Sequence, residues 1–401
     1  MHPAEEIRGS KSKTLSKKRI VLGVTGSIAA VDCVKIAREL IRHGAEVYPV
    51  MTPDATKIIH PYALEFATGN KPVVEITGKT EHVSFCGQIQ QPVDMLLISP
   101  CTANTLSKIA HGVDDTAVTT FATTAIGSGV QILIAPAMHL SMYKHRILQE
   151  NIDKCKRNGI RFVEPVLTKN KAKMPSTDEI VAHVIRNIGR QDLEDMRVLI
   201  IGGSTSEPVD DVRVVTNRSS GKTAVSLAKK AFYRGAEVEM WYGSSKEPVP
   251  GYIKTTFFES IKDVLKLLKN RVVKNFDVII VCAALSDYIP VKHKGKIPSG
   301  QKKLVLEMLP APRFISQLRG FAPDTKIVGF KVEDNKNKLK KKSFEFLKKN
   351  DVDMVVANTT SGFDSDVNEI WVINRKRKVI HERGTKDFLA DVILDAVKTL
   401  M

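Results

Sequence analysis

The sequence predicts an α/β protein built from two Rossmann-like parallel-sheet domains, and three observations carry that reading. A short apolar run breaks into a glycine turn in Arg19-Ile-Val-Leu-Gly-Val-Thr-Gly-Ser-Ile-Ala-Ala30 and again in Arg197-Val-Leu-Ile-Ile-Gly-Gly-Ser-Thr-Ser-Glu-Pro208. Each reads as the first strand of an α/β domain delivering backbone N–H groups to a phosphate. Behind each turn, continuous apolar runs alternate with amphipathic segments, as buried parallel strands and their covering helices do. The chain has 401 residues, 43% of them hydrophobic and 26% charged, enough for two or three domains with their own cores. Neither turn has the spacing G-x-G-x-x-G that a dinucleotide pyrophosphate requires, which argues against a plain NAD fold.

Taken in order, Arg19 to Val24 reads as a strand, Ala29 to His43 as a helix and Glu46 to Met51 as a second strand. Asp94 to Ser99 is a buried strand, Ala103 to Ala110 opens a helix, and Gln131 to Ala135 is a strand. Lys169 to Ser176 is a polar, lysine-rich loop, Thr177 to Ile188 a closing helix, and Gly189 to Glu194 a linker. The alternation then restarts with strand Val198 to Ile201, helix Thr223 to Arg234, strand Glu237 to Trp241, helix Ile261 to Lys269 and strand Asp277 to Ala283. It continues through strand Thr325 to Phe330, a lysine-rich helix ending at Lys349, strand Met354 to Ala357 and a hairpin-like pair near Ile370 to Ile380. The expected division is a flexible basic tail at 1–18, a first domain at 19–189 and a second at 190–401.

Composition narrows the classes of function. The five cysteines lie far apart with no C-x-x-C pair, which supports neither a disulfide framework nor a zinc knuckle and suits a reducing cytoplasm. No apolar run approaches the roughly 18 residues of a membrane span, so no membrane partner is expected. The net charge of +17 raises nucleic acid as a partner, but the lysines are dispersed and aromatics are only 6% of the chain. Without a stacking platform or a groove-reading helix, a solvated lysine-rich surface or phosphorylated substrates explain the charge better.

Residues able to do chemistry cluster after strands, where parallel sheets place ligands. Gly26 and Ser27 offer N–H groups at a helix start, although a purely structural turn needs no ligand. Ser99-Pro-Cys-Thr-Ala-Asn-Thr105 combines small hydroxyl and amide side chains suited to a planar polar ligand, and Thr102 or Asn104 could equally be a helix cap. Pro136-Ala-Met-His-Leu-Ser-Met-Tyr143 adds His139 beside a flexible apolar wall, and His82 is a further candidate base. In the second half Gly221-Lys-Thr223 is similar to the end of a P-loop, but Thr216 stands where its first glycine belongs, which argues against a Walker site.

The succession Thr25-Gly-Ser-Ile-Ala-Ala30, Glu81-His-Val83, Ser99 to Thr105 and Pro136 to Tyr143 resembles the flavin-dependent cysteine decarboxylases of flavodoxin-like type, specifically phosphopantothenoylcysteine decarboxylase. Gly202-Gly-Ser-Thr-Ser-Glu-Pro-Val-Asp210, Thr216-Asn-Arg-Ser-Ser-Gly-Lys222 and Cys282-Ala-Ala-Leu-Ser-Asp-Tyr288 resemble phosphopantothenate–cysteine ligase. Together these segments span nearly everything after Lys18, in the order of fused coenzyme A enzymes.

For the first half the resemblance implies an FMN enzyme, in which two electrons leave the substrate thiol, carbon dioxide is lost from the resulting thioaldehyde, and the electrons return. Gly26, Ser27, Ser99, Thr102 and Asn104 match flavin-holding positions, and His82 matches the active-site histidine. Two departures stand out. His139 replaces the asparagine of P-x-M-N that holds the substrate carboxylate, a role an imidazole donor can still fill. The flap Lys169-Asn-Lys-Ala-Lys-Met174 lacks the family's cysteine acid, so a lysine or water must supply that proton, or catalysis is organised differently; Cys155 reads as core.

For the second half the resemblance implies condensation of 4'-phosphopantothenate with cysteine through an acyl-nucleotide, using CTP and Mg2+ carried on its phosphates. Gly202, Gly203 and Ser204 would line the triphosphate with Ser219, Ser220, Gly221 and Lys222. Asn217 would handle the acyl intermediate, although an Asx turn would also explain it. Ala283, Ala284 and Asp287 would meet base and substrate, Lys296 would act from a mobile loop, Phe330 and Lys349 match weaker nucleotide contacts, and Pro312, Arg313, Phe314 and Ile315 stand at a further nucleotide segment, replacing an N-P-D-I-like run with altered chemistry. The family also suggests a homo-oligomer with trimeric contacts in the flavin half and dimeric contacts in the ligase half, compatible with a dodecamer. Two other readings remain open: a flavoprotein acting on another thiol or with an inactive decarboxylase half, and a basic nucleic-acid-binding protein.

Overall fold

The computed structural model describes residues 2–300, 302–360 and 365–401. The chain divides into two compact units, Met1–Gln191 and Asp192–Met401.

The first unit is a five-stranded parallel sheet of β1 (Arg19–Val24), β2 (Glu46–Met51), β3 (Met95–Cys101), β4 (Gln131–Pro136) and β6 (Arg161–Phe162), in the order β2-β1-β3-β4-β6. Its strands are apolar because both faces are covered; β3 is buried at every position. The order reverses between β1 and β3, so the ends of these two strands frame a crevice. Helix α2 (Cys33–Arg42) buries Ile36, Ala37, Leu40 and Ile41 at helical spacing. A short 3-10 turn, Ile28–Asp32, takes up the first part of the helix expected from Ala29, with Ser27 capping it. The other face is covered by α6 (Ala103–His111), α7 (Ala117–Ser128) and α9 (Arg146–Arg157), around a core that includes Phe121, Leu106 and Ile152. α6 begins at the Thr102 cap and stops at Gly112 in the left-handed conformation, and Thr116 and Thr119 form a reciprocal cap on α7.

Two expectations for this unit are corrected. The basic segment 1–18 is not a free tail; Met1 lies outside the described residues, but Pro3–Glu6 forms helix α1, and Ala4 and Leu15 are fully buried. The backbone N–H groups of Gly9, Lys11 and Leu15 donate to carbonyls of Ile41, Arg42 and His43, and Lys11 pairs with Glu39, so polar bonding and one leucine dock a segment that looked solvated by composition. Lys169 to Ser176 contains strand β8 (Lys171–Lys173), paired antiparallel with β5 (Met138–His139) and β7 (Val166–Leu167). Alternation around the single buried Ala172 was too short a signal to reveal it. The boundary between the two units, Gln191 to Asp192, falls inside the expected linker Gly189 to Glu194, where Leu193 is buried and Asp192 receives two hydrogen bonds from Arg234.

The second unit holds an eight-stranded sheet of β9 (Arg197–Gly202), β12 (Glu237–Tyr242), β13 (Lys254–Phe257), β14 (Val278–Val281), β17 (Lys326–Val332), β18 (Met354–Asn358), β19 (Val367–Asn374) and β20 (Val379–Thr385). Its order is β13-β12-β9-β14-β17-β18-β19-β20, parallel as far as β18 and antiparallel across the last two pairs. That is a doubly wound core extended by a hairpin, with the reversal between β9 and β14. Helices α11 (Lys222–Tyr233), α12 (Ile261–Asn270), α13 (Phe314–Phe321), α14 (Lys336–Asn350) and α15 (Lys386–Lys398) cover it, and Trp241, Ile279 and Ile327 sit in its core. Strand β13 and the small ladders β10 (Ser206–Pro208) with β11 (Val214–Thr216) and β15 (Tyr288–Pro290) with β16 (Met308–Pro310) have no counterpart in the sequence reading. The short ladders lack an apolar alternation to announce them. The closing hairpin is longer than the expected 370–380 because paired polar residues extend it.

Candidate active sites

In the first unit the crevice between β1 and β3 is a cleft of about 460 Å³ with a mixed polar and apolar lining. Gly26 and Ser27 line it from the end of β1, Thr102 and Asn104 from the end of β3, and Ala137, Met138 and Met142 from beyond β4. The two central strand ends are tied together: Thr25 Oγ1 donates to the Pro100 carbonyl at 2.8 Å and accepts from the Thr102 N–H at 3.0 Å. Gly26 is required by space, since a Cβ there would lie 2.6 Å from Asp54 Cβ. The turn therefore packs its backbone directly against Asp54, and it is closed by the Ser27 N–H donating to the Thr25 carbonyl at 2.7 Å. Lys108 is the cation of this lining, ion-paired at 2.7 Å with Asp115.

Three first-half candidates lie outside that lining. Ser99 is fully buried, with its hydroxyl 3.2 Å from Met174 Sδ at the end of the flap. His82 sits half-buried on the short helix α5 (Glu81–Cys86), and its Nδ1 is buried without a hydrogen-bond partner. His139 is exposed at the end of β5, opposite Lys171 of the flap strand. Its Nδ1 accepts from the Ser141 N–H, so the neutral ring carries its proton on Nε2, which can donate outward. Burial pushes the Cys86 thiol up to about 12 and the Cys155 thiol up to about 11, and it raises Cys33 and Cys101 as well. These four are neutral core thiols, as read for Cys155, and offer no reactive thiolate.

In the second unit the reversal point opens into a cleft of about 130 Å³. Gly203, Ser219, Ser220, Gly221, Lys222, Ala283, Ala284 and Phe330 all line it, so eight residues named from separate motifs meet in one place. The turns after β9 and β14 are bonded to each other: the Ala284 N–H donates to the Gly203 carbonyl at 2.8 Å, and Thr205 Oγ1 lies 2.7 Å from Ser286 Oγ. Gly203 has φ +79°, and a Cβ there would lie 2.8 Å from the Gly243 backbone. Only glycine can make that turn without displacing a neighbouring strand end. Asn217 reaches the same edge, donating from Nδ2 to the Ala284 carbonyl at 2.9 Å. Burial pushes the Cys282 thiol in the lining up to about 12.

Lys296 lies on an exposed loop outside the lining, but the loop is anchored. The buried Asp210 carboxylate accepts from the Ile297 N–H at 2.9 Å and pairs with Arg213, which also donates to the Ile297 carbonyl. Asp211 accepts from Gly295 and pairs with Lys292. The backbone N–H donors, Ile297 first, hold the Asp210 carboxyl far below the usual range.

Comparison with known proteins now bears on the whole chain. The family described as Flavoprotein matches residues 8–189, and the DNA/pantothenate metabolism flavoprotein C-terminal domain matches 193–401. The coenzyme A biosynthesis bifunctional protein CoaBC of Thermococcus kodakarensis is 44% identical, over 100% of both chains. The CoaBC protein of Methanocaldococcus jannaschii is 38% identical, over 100% of this chain and 98% of its own. The chain belongs to the CoaBC family. It is a bifunctional enzyme of coenzyme A biosynthesis, a phosphopantothenoylcysteine decarboxylase joined to a phosphopantothenate–cysteine ligase, and its first unit is a flavoprotein domain. Among solved structures, the DNA/pantothenate metabolism flavoprotein from Streptococcus pneumoniae is 25% identical, with TM-score 0.46, covering 51% of this chain and 100% of that one.

In this CoaBC chain, Gly202 and Ser204 flank the lined turn, with Ser204 bonded to the Ser244 carbonyl. Asp287 is exposed, and its carbonyl accepts from Ala311. Pro312 and Arg313 are exposed before α13, whereas Phe314 is buried in the core and Ile315 packs against it. Lys349 is exposed near the end of α14 and does not line the cleft. The sequence reading missed Thr52, Asp54, Lys108 and Thr116 in the first cleft, and Asn358, Asn368 and Lys386 in the second. Positions after strand ends were a usable signal for Thr52 and Asn358; Lys386, one lysine among many, offered none. Among the described residues no cluster of metal-ligating side chains occurs, and no helix is long and apolar enough to cross a membrane.

Proposed function

We propose that residues 19–189 form the decarboxylase domain and 190–401 the ligase domain, each reacting at the crevice where its sheet order reverses. The observation that carries this is the meeting of Gly203, Ser219 to Lys222 and Ala283 to Ala284 in one cleft, matched by Gly26, Ser27, Thr102 and Asn104 in the other. Both are cytoplasmic activities in this reading.

The first cleft fits FMN. Gly26 and Ser27 line the cleft at the start of the Ser27-capped turn, and Ser27 adds a hydroxyl for the single phosphate. Lys108 adds charge, while Thr102 and Asn104 present a hydroxyl and an amide to the planar ring system. When bound, FMN supplies acceptance and return of two electrons, chemistry no side chain here can perform. The His82 imidazole takes the thiol proton, and His139 holds the substrate carboxylate through its outward Nε2–H. His82 does not line its own chain's cleft, which favours trimeric packing that brings the two together. Ile28 and Val31, 76% and 52% exposed beside the Gly26 turn, give such packing an apolar surface.

In the ligase, Lys222 and the amides around Gly203 and Ser219 to Gly221 hold the nucleotide phosphates, with Mg2+ carried by the phosphates themselves. Asn217 stands at the cleft edge to hold the acyl-phosphate oxygens, and Lys296 is presented by a loop anchored on Asp210 and Asp211. CTP is the nucleotide, phosphopantothenate and cysteine are the substrates, and the ligase domains pair as dimers. The experiment is to incubate the protein with 4'-phosphopantothenate, cysteine, Mg2+ and either CTP or ATP, following pyrophosphate and carbon dioxide separately. Both products are expected, with CTP preferred. Pyrophosphate without carbon dioxide would sink the decarboxylase roles, and neither product would sink both.

A further inference from the structure

The second unit has another cavity, at the end of its sheet away from the ligase cleft. Its volume is about 650 Å³, and it lies between α14 and the turn that joins β19 to β20. The cleft takes Gly203, Ala283 and Asn358 from at or just beyond the C-terminal ends of β9, β14 and β18. This cavity instead takes Asp351 from before β18, and Arg375 and Arg377 from after β19, which runs antiparallel to β18. The buried Leu347 and the half-buried Phe344 give it an apolar floor. Around them stand Lys340, Lys341, Lys348, Arg375 and Arg377, five cations against the two carboxylates of Glu345 and Asp351. An apolar cavity of this size with a few convergent charges has the form of a small-molecule site.

The charges are unevenly matched. Arg375 pairs with Asp351 at 2.6 Å and donates to the Val352 carbonyl at 2.9 Å. Lys340, Lys341 and Lys348 enter no ion pair among the described residues. Arg377 holds its guanidinium carbon 5.7 Å from the centre of the Phe344 ring, and it does so from a left-handed backbone, with φ +62°. Its N–H closes the hairpin turn on the Asn374 carbonyl at 3.0 Å. Glycine, asparagine or aspartate fills such a position with least strain, and arginine is a costly choice. Backbone strain kept beside a cavity is a mark of ligand clamps. Here it buys a planar cation fixed over an aromatic ring.

We propose that this cavity binds a small phosphorylated aromatic compound, the chemical class to which nucleotides belong, at a site separate from the ligase cleft. The planar ring stacks on Phe344 and Arg377, both of which present a flat face to it. The phosphate is held by Lys341 and Lys348, which stand about one helical turn on either side of Phe344 on α14. The assignment does not depend on which ligand occupies either cleft.

The test is calorimetric titration of the full chain with naphthyl phosphate, and with naphthol and inorganic phosphate, each of which lacks one half of the ligand. Naphthyl phosphate should bind at least about 10-fold more tightly than either half. Arg377→Gly is the informative variant because glycine relieves the left-handed turn: its melting temperature should equal or exceed that of the wild type. Its affinity for naphthyl phosphate should nevertheless fall about 10-fold. The double variant Lys341→Gln, Lys348→Gln should lose as much for naphthyl phosphate and nothing for naphthol. Lys376→Ala removes a neighbouring charge outside the lining and should change binding less than about two-fold. Unchanged affinity in Arg377→Gly, which places the probe elsewhere on the chain, overturns the proposal. So does an equal loss in Lys376→Ala, which marks unspecific charge attraction, and so does a wild-type chain that binds naphthyl phosphate no better than its halves.

Discussion

The two units solve the same geometric problem with different electrostatics. Each opens a crevice where the strand order reverses, and each brings a glycine turn to its floor. In the first, hydroxyls dominate: Thr25 ties the two strand ends through side-chain bonds, and Lys108 is the lining's cation. In the second, the turns after β9 and β14 are tied by a backbone bond as well as by side-chain bonds, and Lys222 and Lys386 both line the cleft. A lone phosphate with a planar ring suits the first arrangement; a chain of phosphates needs the second. The shared topology fixes where a ligand lies, and the charges after the turn fix which one.

The sharpest way to break this comparison is at a residue serving only one half. His82→Ala should lower carbon dioxide release at least about 100-fold, as removal of an acid–base group does, with pyrophosphate formation unchanged. A parallel fall in both products would show that the units do not work separately. Next come the two glycines. Gly203→Ala strains a left-handed turn and should destabilise the second unit by about 1–3 kcal/mol while lowering pyrophosphate release. Gly26→Ala, pressing on Asp54, should instead lose the flavin absorbance of the purified protein while sparing the ligase.

A smaller, more local effect is expected at the Lys296 loop. Asp210→Ala should expose Lys294 and Lys296 to trypsin and lower ligase turnover about 10-fold without altering flavin content. In the wild type the Asp210 carboxyl is depressed on folding, so its contribution is complete above the unfolded carboxylate range and lost only as pH falls through the lower folded value. Protection of the Ile297 amide from exchange should therefore stay level from pH 8 to pH 5, and a loss within that window would contradict the anchor. Smallest for catalysis is Leu15→Ala, a cavity under the N-terminal segment. It should destabilise the first unit by about 2–4 kcal/mol in chemical denaturation, with both activities retained at 25 °C.

Much of this was legible in the sequence because strong periodicity and glycine turns are local signals. Val198 to Ile201 and Asp94 to Ser99 announced buried strands, and Gly26, Gly203 and Lys222 lie where the order of motifs placed them. What escaped depends on distant partners. Segment 1–18 looked free because its anchors are carbonyls of Ile41 to His43, which composition does not reveal. The flap strand hides behind one buried alanine, and Phe314, matched to a nucleotide contact, is committed to the core by residues far along the chain. Lys386 is distinguished from its many fellow lysines only by burial.

Among the described residues, strand β20 ends the larger sheet and pairs only with β19. An open edge of that kind is a template on which a second sheet could grow, and a run of alternating apolar residues there would invite it. Here the middle of the strand reads His381-Glu-Arg383, all exposed, with His381 Nε2 in hydrogen-bond contact with the Glu369 carboxylate of β19 at 2.8 Å. An incoming strand would have to strip water from these side chains before it formed its first hydrogen bond. The same hairpin that extends the ligase sheet therefore protects a crowded solution of this lysine-rich protein from edge-to-edge aggregation.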